Sequence, residues 1–241
     1  MTDMLLTLSG VHTHIGPYHI LQGVDLNVPR GGVTVLLGRN GAGKSTTLRT
    51  IMGLWKPGAG EIVFDGNRIS GKTTPDISRS GLAYVPENMG IFSDLTVAEN
   101  MRLAACSGPM DEKRLGWIKD LFPPIGTFWE KAAGTLSGGQ KQMLSVARAI
   151  IEPRRMILID EPSKGLAPAI IAAMTEALQE LKRTDTTILL VEQNFSMAAA
   201  LGDTVAVMDD GRIVHAGDMK DLAGDAVLQE RLMGLSLEMH Q

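Results

Sequence analysis

The chain has 241 residues, 44% of them hydrophobic, and a formal net charge of −4. That is enough apolar material for one large domain, and it argues against a nucleic-acid partner, which comes with a basic surplus. Cys106 stands alone, which excludes an internal disulfide and fits a reducing compartment. The start, Met1-Thr2-Asp3-Met4-Leu5-Leu6, has no basic stretch ahead of an apolar one and does not read as a secretory signal. The longest apolar runs, 156–159 and 187–191, fall far short of the roughly 20 residues that a spanning helix needs.

Taken in chain order, residues 5–11 and 20–28 alternate apolar and polar side chains, the period of half-buried strands. Residues 33–37 form a continuous apolar run, followed at once by a glycine-rich turn and a helix predicted over 44–52. That order marks a strand of a buried parallel sheet. Similar strands are predicted at 82–85, 156–159 and 187–191, with helices over 97–105, 114–121, 140–151 and 169–181. Near the end, 204–208 and 212–216 flank Asp209-Asp210-Gly211, a hairpin turn signal. The stretch 88–151 is mainly helical and lacks clear strands, and the chain has no repeat or long linker. The reading is one α/β domain over 1–241. It has a mainly parallel sheet, an antiparallel N-terminal β-subdomain and a helical lobe inserted at about 88–151.

Three motifs carry chemistry. Gly38-Arg39-Asn40-Gly41-Ala42-Gly43-Lys44-Ser45 fits the phosphate-binding loop of a P-loop NTPase. Glycines let backbone N–H groups turn inward around phosphates, and the following helix offers its positive end to the anion. Lys44 is expected to reach the β- and γ-phosphates of ATP, and to face solvent until a nucleotide engages it. Ser45 is expected to coordinate Mg²⁺, and Thr46 to touch the α-phosphate. In Met156-Ile157-Leu158-Ile159-Asp160-Glu161, two acids emerge at the carboxyl end of a strand, where open α/β sheets bind ligands. Asp160 is placed to hold Mg²⁺, and Glu161 to orient the attacking water. In Leu136-Ser137-Gly138-Gly139-Gln140, Ser137 can cap the next helix while Gly138 and Gly139 expose N–H groups. That is a second anion site, suited to a nucleotide held mainly elsewhere.

With these three motifs in this order and spacing, the sequence resembles the ABC transporter ATPase family from about residue 5 to residue 234. The resemblance implies a head-to-tail dimer in which ATP lies between the phosphate loop of one subunit and the Ser137–Gly138–Gly139–Gln140 segment of the other. Finer features depart from most members. Glu87, in Tyr84-Val85-Pro86-Glu87, stands where most have glutamine, and the resemblance assigns it to the metal site beside Ser45 and Asp160. Ala167 stands where many have aspartate, and Gln193 where most have histidine. The resemblance makes Gln193 catalytic with Glu161 and Lys44. Its NH₂ is expected on a γ-phosphate oxygen, with no proton transferred.

This pattern is similar to the ATPases of branched-chain amino acid importers, in particular the smaller of the two. It implies transmembrane permease subunits and an extracytoplasmic solute-binding protein as partners, and a cytoplasmic place on the inner face of the membrane. Uptake of urea or amides, export of lipid or polysaccharide, and a soluble ABC ATPase are the alternatives. Residues 87–101, with Met89, Ile91 and Phe92 expected to be exposed, form the expected dock for a permease helix. The position where the family stacks an aromatic ring on adenine is held by Ile15. Tyr18, His14 or an aliphatic surface could take that role, and the histidines also read as plain surface and edge-strand residues.

Overall fold

The computed structural model describes residues 3–233. Residues 1–2 and 234–241 of the single-domain reading, Gly234 of the family resemblance included, lie outside the described residues. In chain order the first half contains β1 (Met4–Ile15), β2 (Tyr18–Pro29), β3 (Val33–Leu37), α1 (Lys44–Ile51), β4 (Ala59–Phe64), β5 (Asn67–Arg68), α2 (Thr74–Arg79), β6 (Leu82–Val85), α3 (Val97–Ala104), α4 (Glu112–Leu121) and α5 (Pro123–Thr127). The second half contains α6 (Gly138–Ile150), β7 (Met156–Asp160), α7 (Pro168–Lys182), β8 (Thr187–Val191), α8 (Phe195–Leu201), β9 (Thr204–Asp209), β10 (Arg212–Asp218), α9 (Met219–Gly224) and α10 (Ala226–Met233).

Two sheets result. The N-terminal sheet is antiparallel, in the order β2-β1-β4-β5. The second is six-stranded, in the order β10-β9-β3-β8-β7-β6, and parallel except for β10. The parallel strands are mainly apolar along their length because both of their faces are covered. The period of two splits each run between two cores. Val33, Val35, Leu37, Ile157, Ile159, Ile188 and Leu190 pack toward the helices. Leu36, Leu158, Leu189 and Val191 pack toward Leu6, Leu8, Val11, Leu21 and Val24 of the antiparallel sheet.

The β1–β2 hairpin is longer than the 5–11 and 20–28 reading. Its strands run on through His12, His14 and His19, polar residues that an alternation test discounts. The β9–β10 turn places Asp210 and Gly211 at φ 42° and 73°, the left-handed pair whose twist matches that of the flanking strands.

Between β6 and β7 the described structure holds α3 to α6 and no strand. This helical lobe has no separate core. Leu115, Ile118, Phe122 and Ile125 belong to the same apolar cluster as Leu144, Ala147 and Ile157, with α6 as the shared wall against α3, α5 and β6. Among the described residues no helix is long and apolar enough to cross a membrane.

Candidate active site

The carboxyl ends of β3, β6 and β7 meet at one cleft of about 300 Å³, lined by Asn40, Gly41, Gly43, Lys44, Ser45, Thr46, Glu87, Glu161, Lys164 and Ile20. The loop before α1 needs glycine at defined points. A Cβ on Gly38 would fall 2.3 Å from the Met208 carbonyl oxygen, and Gly43 has a φ of 108°, where L side chains are strained.

Lys44 does not face solvent as the sequence reading expected; its side chain is only 4% exposed. The ammonium donates to the carbonyl oxygens of Gly38 and Arg39 at 2.8 and 3.0 Å. It also lies 3.4 Å from Glu161 Oε1. A buried cation must be paired, and these three oxygens draw it inward.

Ser45 Oγ donates to Asp160 Oδ1 at 2.8 Å, and the Tyr84 hydroxyl donates to Asp160 Oδ2 at 3.1 Å. Burial pushes the Asp160 carboxyl above the ordinary carboxylate range, against the lowering effect of those two donors. Burial and the neighbouring Asp160 push the Tyr84 hydroxyl up to about 12. A desolvated carboxylate beside a serine hydroxyl is a hard-oxygen pair, the donor set that Mg²⁺ takes together with phosphates and water. Glu87 does not join this pair; it is bonded to Lys164 at 2.5 Å. Among the described residues no three His, Cys, Asp or Glu side chains form a metal cage.

Glu161 is buried and sits at φ 49°. A non-glycine residue in the left-handed region costs about 1–3 kcal/mol and marks functional sites. Its backbone N–H donates to Val191 O at 2.9 Å, and Asp160 pairs with Val191 across the sheet. That pairing brings Gln193 alongside, and its NH₂ donates to Glu161 Oε1 at 2.6 Å and to Asn40 Oδ1 at 2.7 Å. A carboxylate can only accept, so the amide orientation is fixed. Both N–H bonds of Gln193 are therefore directed at protein groups. Helix capping falls to Asn194, whose Oδ1 accepts from the Met197 N–H.

Sequence reasoning missed Glu192. It is 1% exposed and accepts from the Ser163 N–H, the Ser163 hydroxyl and the N–H groups of Gln193 and Asn194. It ties the turn after β7 to the turn after β8. An acid directly after a buried apolar run was the available signal, since such a group must find donors.

Ser137 and Gln140 form a reciprocal capping box at the start of α6, which begins at Gly138 and not at Gln140. Ser137 and Gly138 are exposed. A Cβ on Gly138 would meet nothing within 4 Å, whereas one on Gly139 would fall 2.6 Å from Ile170 Cγ2. Gly139 thus serves the packing of α6 on α7, and Gly138 leaves its N–H approachable. None of Ser137, Gly138, Gly139 and Gln140 lines the cleft around Lys44.

Three imidazoles gather on the hairpin. His14 and His19 stack at 4.1 Å, and His12 Nδ1 lies 2.9 Å from His19 Nε2. Desolvation, then His14 and His12, push His19 below its ordinary value. Neither they nor the exposed Tyr18 line the cleft; on that side Ile20 does.

A phosphate loop, a Ser–Asp pair and a carboxylate held between a lysine and an amide now stand together. A model of the ABC transporter family matches residues 21–164. The chain belongs to the ABC transporter family. It is an ATPase of the kind coupled to transport. It is 39% identical over 212 residues to the high-affinity branched-chain amino acid transport ATP-binding protein BraG of Pseudomonas aeruginosa, covering 87% of this chain and 91% of that protein. It is 33% identical over 220 residues to the probable branched-chain amino acid transport ATP-binding protein LivF of Archaeoglobus fulgidus, covering 90% and 93%. Among solved structures, an ATP-binding cassette of an ABC transporter in its ADP conformation superposes with a TM-score of 0.80 at 26% identity, over 95% of this chain and 98% of the other.

For this ATPase, Gln193→Ala is expected to cut turnover more than about tenfold, or 1.4 kcal/mol, with little change in ATP affinity. Gln193→His should keep substantial activity. Rate and melting temperature on one preparation decide the matter. An unchanged rate with a lowered Tm would leave Gln193 a purely structural part.

Proposed function

We propose that the chain is the ATP-hydrolysing subunit of an importer for branched-chain amino acids or related small polar solutes. In this reading it works as half of a head-to-tail dimer on the inner face of the cytoplasmic membrane. It couples to permease subunits and, through them, to an extracytoplasmic solute-binding protein. The observation that carries the hydrolytic part is the Glu161 carboxylate, buried and held by Gln193 at 2.6 Å beside Lys44. The likeness to BraG and LivF supports the substrate class.

The chemistry follows from the cleft. ATP lays its phosphates against the loop N–H groups and the start of α1. Lys44 exchanges the Gly38 and Arg39 carbonyls and Glu161 for β- and γ-phosphate oxygens, where a charge-assisted contact is stronger. Ser45 and Asp160 would hold Mg²⁺, which supplies neutralisation of charge on the phosphates. Released from Lys44, Glu161 accepts a hydrogen bond from the attacking water while Gln193 keeps the carboxylate in place. Catalysis is then mostly positioning and electrostatics. Ser137, Gly138, Gly139 and Gln140 of one subunit close over the nucleotide held by the other.

Of Met89, Ile91 and Phe92, expected to be exposed in a permease dock at 87–101, only Phe92 is. Met89 and Ile91 are half-buried, and Phe92 is 49% exposed beneath the Arg148 guanidinium at 5.1 Å. Phe92 stands beside a groove of about 370 Å³ lined by Pro86, Met89, Leu103, Ala104 and Arg148. Purification from detergent-solubilised membranes is expected to bring integral membrane subunits with the wild type. Phe92→Asp should lose them while keeping its soluble ATPase rate. Wild-type protein accompanied only by soluble partners would remove the transport role.

A further inference from the structure

Lys164 lies three positions beyond Glu161, in the turn between β7 and α7, and lines the same cleft as Lys44. Its ammonium is 2.5 Å from Glu87 Oε1 and 3.6 Å from Glu161 Oε2. The two oxygens of Glu161 thus face different cations, Oε1 toward Lys44 at 3.4 Å and Oε2 toward Lys164. The two lysines differ in burial: Lys44 is 4% exposed and Lys164 56% exposed. Glu87 follows β6 where the chain enters the helical lobe. Just beyond it, Met89 O accepts from the Ser145 hydroxyl and Gly90 O from Arg148, both on α6. Lys164 therefore connects the hydrolytic turn after β7 to the segment that leads into the lobe.

ATP brings several negative charges into this cleft and draws Lys44 toward them. Glu161 and Glu87 then face the phosphates with one cation fewer. Like charges at such distances repel, and least screening reaches the buried Glu161. Lys164 stays beside both carboxylates because it is anchored on the far oxygen of Glu161 and on Glu87. An ammonium with three donors can bridge two carboxylates that approach from different sides.

We propose that Lys164 is a positioning residue that holds Glu87 and Glu161 in reacting geometry while Lys44 serves the phosphates. The inference rests on the hydrolytic reading above and adds a second lysine to it. Lys164 acts through the two carboxylates and not on the nucleotide, so it governs kcat and leaves KM for MgATP largely alone. An exposed ion pair is worth little to stability, so the fold should not depend on it.

The test is steady-state ATPase of the full chain as wild type, Lys164→Met, Lys164→Arg, Glu87→Gln and the double variant Lys164→Met with Glu87→Gln. MgATP is titrated and Tm is measured on each preparation. Lys164→Met is expected to lower kcat about fivefold with KM within about twofold, and Lys164→Arg to recover most of the rate. The double variant should lose no more than the worse single, because the two residues form one unit. A wild-type kcat in Lys164→Met, equal loss in Lys164→Arg, multiplicative losses in the double variant, or a loss that only follows a fall in Tm would each overturn the proposal. A wild-type chain without ATPase activity would instead bring down the hydrolytic reading, and this inference with it.

Discussion

Glu161→Gln is expected to bind ATP normally, hydrolyse it at least about 100-fold more slowly, and accumulate as a closed dimer. The magnitude is that of losing a positioned acceptor for the proton of the attacking water. The side chain keeps its shape, and the backbone at φ 49° strains glutamine as much as glutamate. The Glu161 N–H bond to Val191 O is also untouched, so the fold is retained. Only the charge goes, and with it the attraction for Lys44 at 3.4 Å and Lys164 at 3.6 Å. Single-turnover hydrolysis and size-exclusion chromatography with and without ATP read both effects. Normal turnover in this variant would move the water-orienting role to another residue.

Lys44→Ala should lower ATP affinity or turnover about 100-fold or more, by removing a cation from developing phosphate charge. The structure adds a second effect that a solvent-facing lysine would not have. The ammonium satisfies the carbonyls of Gly38 and Arg39. Losing those charge-assisted bonds in a buried setting costs about 1–3 kcal/mol, so the melting temperature should fall along with the rate. Binding of a fluorescent ATP analogue and thermal unfolding on the same sample check the pair. An unchanged Tm would mean that the lysine is not held against the loop in solution. Undiminished binding together with undiminished turnover would end the phosphate-loop assignment.

Much of the fold could be read from the chain because its signals are local. The runs 33–37, 156–159 and 187–191 hold only apolar side chains and at most one buried threonine until an acid or glycine ends them, as strands buried on both faces must. The phosphate loop declares itself by glycines at Gly38, Gly41 and Gly43 before a lysine and a serine. Asp209-Asp210-Gly211 fixes the last hairpin by the same logic of positive φ. Elements that escaped were short or half-exposed. β4 has only Ile62 and Phe64 fully buried, and β5 is two exposed residues that make sense only against β4. α2 has six residues and one buried side chain, too few for a helical period to appear.

The residue types of the site were likewise determined by sequence: a lysine and serine after a glycine loop, two acids after a strand, and an amide in a second strand-end turn. Their partnerships were decided by tertiary structure. Gln193 meets Glu161 because β7 and β8 are paired with Asp160 opposite Val191. Asn40 joins them from the loop after β3, 153 positions away from Gln193 in the chain. Glu192 gathers donors from Ser163 across that same pairing, and Lys164 reaches Glu87 across the neighbouring β6–β7 pairing. A motif constrains backbone conformation over a few residues, so it survives in the sequence as spacing. A hydrogen bond between two loops depends on the register of the strands that carry them, and no spacing within either loop encodes that register.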